Sequence, residues 1–159
     1  GHIVWTYWSL GPDIRDPATP GRAQRRAFLQ RLLHDLGHPA GTHTFWPVCL
    51  PPDPDALPPV PEDTALGALE KTPPAPAYAP APDVFWSGAR QLRARGVVVL
   101  GSVAGQAAGL PGGLRPLQQL RHRGQLVWVL WDVENLLAQE QRYASMLAFL
   151  RQAFVPVLR

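Results

Sequence analysis

The sequence predicts an α/β fold with helices on both faces of a central four-stranded parallel sheet. Apolar strand patterns alternate with helical ones, and Val97-Val98-Val99-Leu100 is an uninterrupted apolar run of the kind a strand buried on both faces requires. The 159 residues suit one domain spanning 1–159, and 46% hydrophobic against 17% charged residues is enough apolar surface for a single core.

Residues 3–8, Ile3-Val4-Trp5-Thr6-Tyr7-Trp8, are β-branched and aromatic and run into Gly11-Pro12, so a buried strand followed by a turn is expected. From Arg22 to Leu36 the apolar residues Ala23, Ala27, Phe28, Leu29, Leu32, Leu33 and Leu36 recur at three-to-four spacing. Arg22, Arg25, Arg26 and Arg31 fall largely outside that stripe, and Gly37 ends the helix. Thr42–Val48 reads as a second strand, with Pro47 confined to its end or to a sheet edge. Twelve prolines among residues 47–82 oppose regular structure and predict a long proline-rich loop. A helix over 84–95, the strand at 97–100, a short helix capped by Ser102, a Gly-rich basic connection over 109–124, a strand at 126–131 and a helix over 136–154 complete the order.

Fourteen of the fifteen basic residues are arginine, and the net charge is +3. Low Lys with high Ala, Pro and Gly is the composition of a GC-rich genome, so arginine richness is a weak pointer to a polyanion. The single Cys49 excludes an internal disulfide and any site built on several cysteines. No apolar run reaches bilayer length, and the first residues lack the basic and apolar regions of a signal peptide. A cytoplasmic protein with no membrane partner and no cofactor is expected.

In a parallel sheet ligands bind beyond the carboxyl ends of the strands, which directs attention to the loops beginning at Ser9, Pro47, Gly101 and Trp131. Ser9-Leu10-Gly11-Pro12-Asp13, Thr44-Phe45-Trp46-Pro47-Val48-Cys49-Leu50-Pro51-Pro52, Arg95-Gly96 through Ala104, and Arg123-Gly124 with Trp131–Leu137 resemble, in order and spacing, the motif segments of the uracil-DNA glycosylase superfamily. The likeness is to its iron–sulfur branch and covers most of the chain.

That resemblance implies a three-layer sandwich of the uracil-DNA glycosylase type, with base-pocket positions at Leu10, Gly11, Pro12, Phe45, Trp46 and Asp132. It also implies departures at each chemical position. The family's first-loop glutamate falls on Leu10, its base-reading asparagine on Phe45, and its His-Pro-Ser on Asp132-Val133-Glu134. Cys49 matches one cluster cysteine without its three companions, so no cluster carries over. Excision of a base needs a carboxylate to activate water and a donor to stabilise the departing anion, and Asp132 in place of histidine would repel that anion.

The resemblance thus implies a degenerate site without catalytic residues. The chain is then a module that binds DNA weakly and non-specifically or binds a replication or repair protein. A divergent active glycosylase using Asp13 or Asp132 is the alternative. An accessory subunit of the bacterial replicase shares the fold without the activity.

Each candidate residue also has a structural role to compare with. Asp13 and Asp16 are ordinary turn-capping residues, and Asp132 with Glu134 suits a helix N-terminus. His34, His38 and His43 lack the spacing of a zinc site, and the glycines at 101, 105 and 109 match no phosphate-loop pattern. Arg115, Arg121, His122 and Arg123, beside Gly112-Gly113, form the best candidate for phosphate contact. Trp8, Trp46 and Trp131 are expected at the rim of the cleft, with Phe45 and Trp46 filling the volume of a flipped base.

Overall fold

A computed structural model describes residues 2–51 and 78–158. Its strands are β1 (Ile3–Tyr7), β2 (His43–Phe45), β3 (Cys49–Leu50), β4 (Ala79–Pro80), β5 (Gly96–Leu100), β6 (Gln118–His122) and β7 (Gln125–Leu130). The helices are α1 (Leu10–Arg15), α2 (Arg22–Leu36), α3 (Pro82–Gln91), α4 (Ser102–Ala107), α5 (Val133–Ala138) and α6 (Glu140–Phe154). The main sheet has the order β2-β1-β5-β7-β6.

Neighbours among β2, β1, β5 and β7 run parallel, and β6 pairs antiparallel with β7. The fold is therefore α/β with a mostly parallel sheet, but it has five strands instead of the expected four. The fifth lies within 109–124, which the sequence presents as a connection. Arg123 and Gly124 form its hairpin turn, both with positive φ (51° and 79°), and β6 carries few of the apolar residues that mark a strand.

Side chains alternate across the strands, and two separate cores result. Ile3, Trp5, Tyr7, Val98, Leu100, Trp128 and Leu130 face α2, α5 and α6. Val4, Val97, Val99, Val127 and Val129 face α3 and α4. Phe154 of α6 is the aromatic hub of the first layer, with ring centroids 5.2 Å from Trp128 and 6.1 Å from Trp5. On the second layer Gly88 of α3 is a close-approach glycine, since a Cβ there would meet the Trp46 indole at 2.3 Å.

Several boundaries differ from expectation. The Gly11-Pro12 turn is instead the first turn of α1, where proline costs no helical hydrogen bond. Gly11 is needed there because its Cα packs on Cys49; a Cβ would sit 2.8 Å from Sγ. The strand expected over 42–48 shortens to β2. Gly101, with φ 104°, holds the N-cap of α4 in place of Ser102. The helix expected over 136–154 divides at Gln139, whose extended backbone ends α5 and begins α6 without a Gly or Pro signal. Of the proline-rich loop, residues 52–77 lie outside the described residues; its ends form the β3–β4 ribbon, pairing Cys49 with Pro80. Among the described residues no helix is long and apolar enough to cross a membrane.

The edge strand β2 is tied to the core by a polar chain. The Trp5 indole N–H donates to His43 Nδ1 at 2.9 Å, which leaves the ring proton on Nε2, facing His38 Nδ1 at 2.9 Å. Burial, reinforced by His38, lowers the His43 pKa to about 4, and the surrounding rings of Trp5, His38 and Phe154 supply no carboxylate. The unfolded chain takes up this proton near 6.5, whereas the folded chain refuses it until about 4. Between those values the unfolded state binds more protons, so stability should fall as pH drops from about 6.5 to about 4. Urea unfolding of His43→Gln across this range should give a shallower pH slope than the parent; equal slopes would contradict the buried neutral ring.

Candidate functional site

The four loops at Ser9, Trp46-Pro47, Gly101 and Trp131 leave the carboxyl ends of β1, β2, β5 and β7. The chain passes from β1 outward to β2 on one side and from β5 to β7 on the other, so the switch point of the sheet lies between β1 and β5. That is where an open α/β sheet forms its ligand crevice. A cavity of about 200 Å³ occupies it, walled by Tyr7, Trp8, Leu100, Gly101, Asp132 and Glu134 among others. A second, of about 250 Å³, shares Gly101 and Asp132 and extends over β7 past Ser102, Gln106, Trp131 and Asn135.

Asp13 projects from α1 into the fold and is 4% exposed. Its Oδ1 accepts from Arg25 Nη2 at 2.6 Å, and its Oδ2 accepts from Arg25 Nε at 2.7 Å and from the Tyr7 hydroxyl at 3.1 Å. Arg25 also donates from Nη2 to the Pro20 carbonyl at 2.7 Å and from Nη1 to the exposed Glu134 at 3.3 Å. The Asp13 hydrogen bond raises the Arg25 pKa above its ordinary value. Burial, then the Asp13 charge, pushes the Tyr7 phenol well above the usual range, which keeps it a proton donor to the carboxylate. Each Asp13 oxygen thus accepts from the Arg25 guanidinium, and Oδ2 accepts from the neutral Tyr7 phenol as well, which commits the carboxylate to the scaffold.

Asp132 is committed differently. Its Oδ1 accepts from the Asn135 backbone N–H at 2.7 Å and caps α5, and Glu134 follows in the first turn as the helix dipole favours. The Asp132 side chain also packs on Gly101, where a Cβ would sit 2.8 Å from Asp132 Cβ; this close approach joins the ends of β5 and β7. Asp132 borders the crevice and Asp13 lines a separate groove beside Phe45, and each has a structural partner of its own.

The aromatic positions separate. Phe45 packs against the α2 layer, Trp46 against the α3 layer, as adjacent residues of an extended chain must. Trp46 is therefore not at the rim of the cleft, contrary to expectation, and its indole N–H is buried without a partner among the described residues. Nor do Phe45 and Trp46 fill one volume. Phe45 walls an open groove of about 320 Å³ that also includes Leu10 and Asp13 but not Asp132, with a floor more apolar than polar. Trp8 and Trp131 do line the crevice, and the Arg142 guanidinium lies 5.5 Å from the Trp131 ring centre.

The basic group at 115–123 does not form one face. Arg115 precedes β6 at the carboxyl end of the sheet, while His122 pairs with Gln125 at the opposite end. Arg121 shares the face of Gln119, which accepts from Trp128 on the α6 side. Arg123 crosses to the other side and pairs with Asp83 of α3 at 2.9 Å. His122 is half-buried on the Trp86 ring, with centroids 5.1 Å apart, and burial lowers its pKa, so it carries no charge for a phosphate at neutral pH.

Arg25 is the functional residue that pattern reading misassigned. It is buried, and its position before Phe28, Leu29, Leu32 and Leu36 places it on the very stripe that seats the helix. A guanidinium in phase with a buried stripe signals an acidic partner within the fold.

No family model matches the chain, and comparison with curated proteins finds no significant match.

Removing the charge of Asp13 while keeping its shape leaves Arg25 buried without its counter-ion. Asp13→Asn should therefore cost about 3 to 5 kcal/mol in urea unfolding. Asp132→Ala should cost about 1 kcal/mol, the loss of a helix cap, and Glu134→Gln less than that, because the Glu134 carboxylate is exposed. Equal effects at Asp13 and Glu134 would contradict the buried pair as the structural centre.

Proposed function

We propose that the chain is a catalytically degenerate module of the uracil-DNA glycosylase type, one that acts by binding and leaves glycosidic bonds intact. The observation that carries this reading is the engagement of both candidate carboxylates in the scaffold, Asp13 through both oxygens with Arg25 and through Oδ2 with Tyr7, and Asp132 through Oδ1 with the α5 cap. Excision needs a carboxylate free to orient or deprotonate water, and a donor where negative charge grows on the leaving base. At the position aligned with the family's histidine this chain presents Asp132, with Glu134 two residues on. Losing an anion-stabilising donor alone costs roughly 2.7 to 4 kcal/mol in the barrier, and a carboxylate in its place adds repulsion.

The resemblance suggests a replication or repair setting. Of the two partner classes it offers, a protein is favoured, because Arg115, Arg121 and Arg123 point to different parts of the surface and Arg123 already has an acidic partner. DNA remains a second reading through Arg115, which is exposed beside Gly112 and Gly113, where open space surrounds the backbone.

Single- and double-stranded uracil oligonucleotides, incubated with the protein and cleaved at abasic sites by alkali, should give no product. Product that disappears in Asp13→Ala or Asp132→Ala would overturn the degenerate reading in favour of a divergent glycosylase. For DNA binding, one usable phosphate contact at Arg115 gives a log–log salt dependence with a slope magnitude of about 0.7 to 0.9. Fluorescence anisotropy of a labelled oligonucleotide should show such weak binding, removed by Arg115→Ala and indifferent to Arg121→Ala. A slope of about 2 to 3 that collapses only when all three arginines are replaced would restore a continuous DNA-binding face.

A further inference from the structure

The groove between α1 and α2, beside Phe45, lies apart from the switch-point crevice and combines two features that the fold does not use. Its floor is apolar, formed by Leu10, Leu29, Leu33 and the Phe45 ring, and Ile14 at its rim is 57% exposed. Its mouth is cationic: Arg22 and Arg26 stand one helical turn apart on α2. Arg22 is held there because its Nε donates to the Asp13 carbonyl at 2.7 Å, which leaves both Nη groups without a partner among the described residues. Arg26 is exposed, and no carboxylate pairs with it among the described residues.

Among the described residues the only acid in the lining, Asp13, is neutralised by Arg25 with both oxygens turned to Arg25 and Tyr7, so it does not offset the two arginines. Gln30 adds a neutral donor and acceptor. At about 320 Å³ the groove has the size of a small-ligand site.

We propose that this groove binds a small amphipathic acid, with an aliphatic or aromatic body against Leu29, Leu33 and Phe45 and its carboxylate between Arg22 and Arg26. Apolar burial supplies the affinity, and the guanidinium pair selects the anion and fixes its direction. A neutral molecule of the same length would gain only the first contribution. An acid without an apolar body would meet exposed, salt-screened charges worth little alone. The groove includes Leu10 and Phe45, two of the positions that the resemblance assigns to a base pocket, but the proposal rests on the groove's own lining; decanoate binding and uracil excision are read separately, so failure of one is distinguishable from failure of the other.

The test uses decanoate and decanol as matched probes with the full chain, by calorimetry below the micelle-forming concentration and by NMR chemical-shift mapping. Decanoate should bind with one-to-one stoichiometry and shift the Leu29, Leu33 and Phe45 resonances, and decanol should bind about tenfold more weakly. Arg26→Gln should weaken decanoate about three- to tenfold and leave decanol unchanged. Gln30→Glu, an exposed isosteric change that supplies Arg26 with its own helical partner, should do the same without loss of fold. Equal binding of the two probes, insensitivity to both variants, shifts confined to other surfaces, many weak sites per chain, or no binding would each overturn the proposal.

Discussion

The bidentate pair between Asp13 and Arg25 is the constraint around which the carboxyl end of the sheet is assembled. It joins α1 to α2, draws in the β1 end through the Tyr7 hydroxyl, fixes the intervening turn through the Pro20 carbonyl, and reaches the first turn of α5 through Glu134. Taking two charges out of water is costly, and a buried pair of this kind is weak evidence of net stability. What the pair supplies is geometry. An unpaired Arg25 inside the α2 stripe is intolerable, so the fold admits only arrangements in which α1 carries Asp13 to it.

This has a direct consequence for chemistry. A carboxylate that serves in acid–base catalysis must exchange a proton with water or substrate at working pH, and so must keep an oxygen open to them. Both Asp13 oxygens are engaged by Arg25, and the phenol beside them is held in its protonated form by burial and then by the Asp13 charge. Asp132 is exposed and contributes one of its two oxygens to a helix that would otherwise begin with unsatisfied N–H groups. Asp13 and Asp132 are thus both engaged as parts of the scaffold.

Much of the scaffold was legible because its signals were periodic. β1, β5 and β7 announced themselves as apolar β-branched runs, and α2 by its stripe and the Gly37 terminator, which adopts φ 70°. The misreadings arose where tertiary context overrides composition. β6 is written in Gln, Leu, Arg and His, and it is a strand because β7 offers it a free edge and Arg123-Gly124 make the turn. α1 contains the Gly-Pro pair that usually ends structure, and it is a helix because Gly11 packs on Cys49 and Asp13 is pulled inward. The separation of Phe45 from Trp46 was accessible in principle, since consecutive residues of a strand face opposite sides. It was obscured by treating both as one rim.

Arg121 of β6 and Arg123 of the following turn have a structural role in this setting. A sheet with free edges exposes unpaired N–H and C=O groups that another chain can join, and folds protect such edges with charge, brevity or proline. Both edges here are protected in that way. β2 is three residues long and is followed by Pro47, while β6 exposes Gln118, Gln119 and Arg121. Arg123 is then spent on Asp83, which ties the hairpin turn to the start of α3. A positive charge that blocks edge-to-edge pairing must lie along the edge, whereas charges that follow a phosphate backbone must converge on one face. Arg121 lies along the edge and meets the first requirement, while Arg123, on the other side of the hairpin and paired with Asp83, shares no face with it.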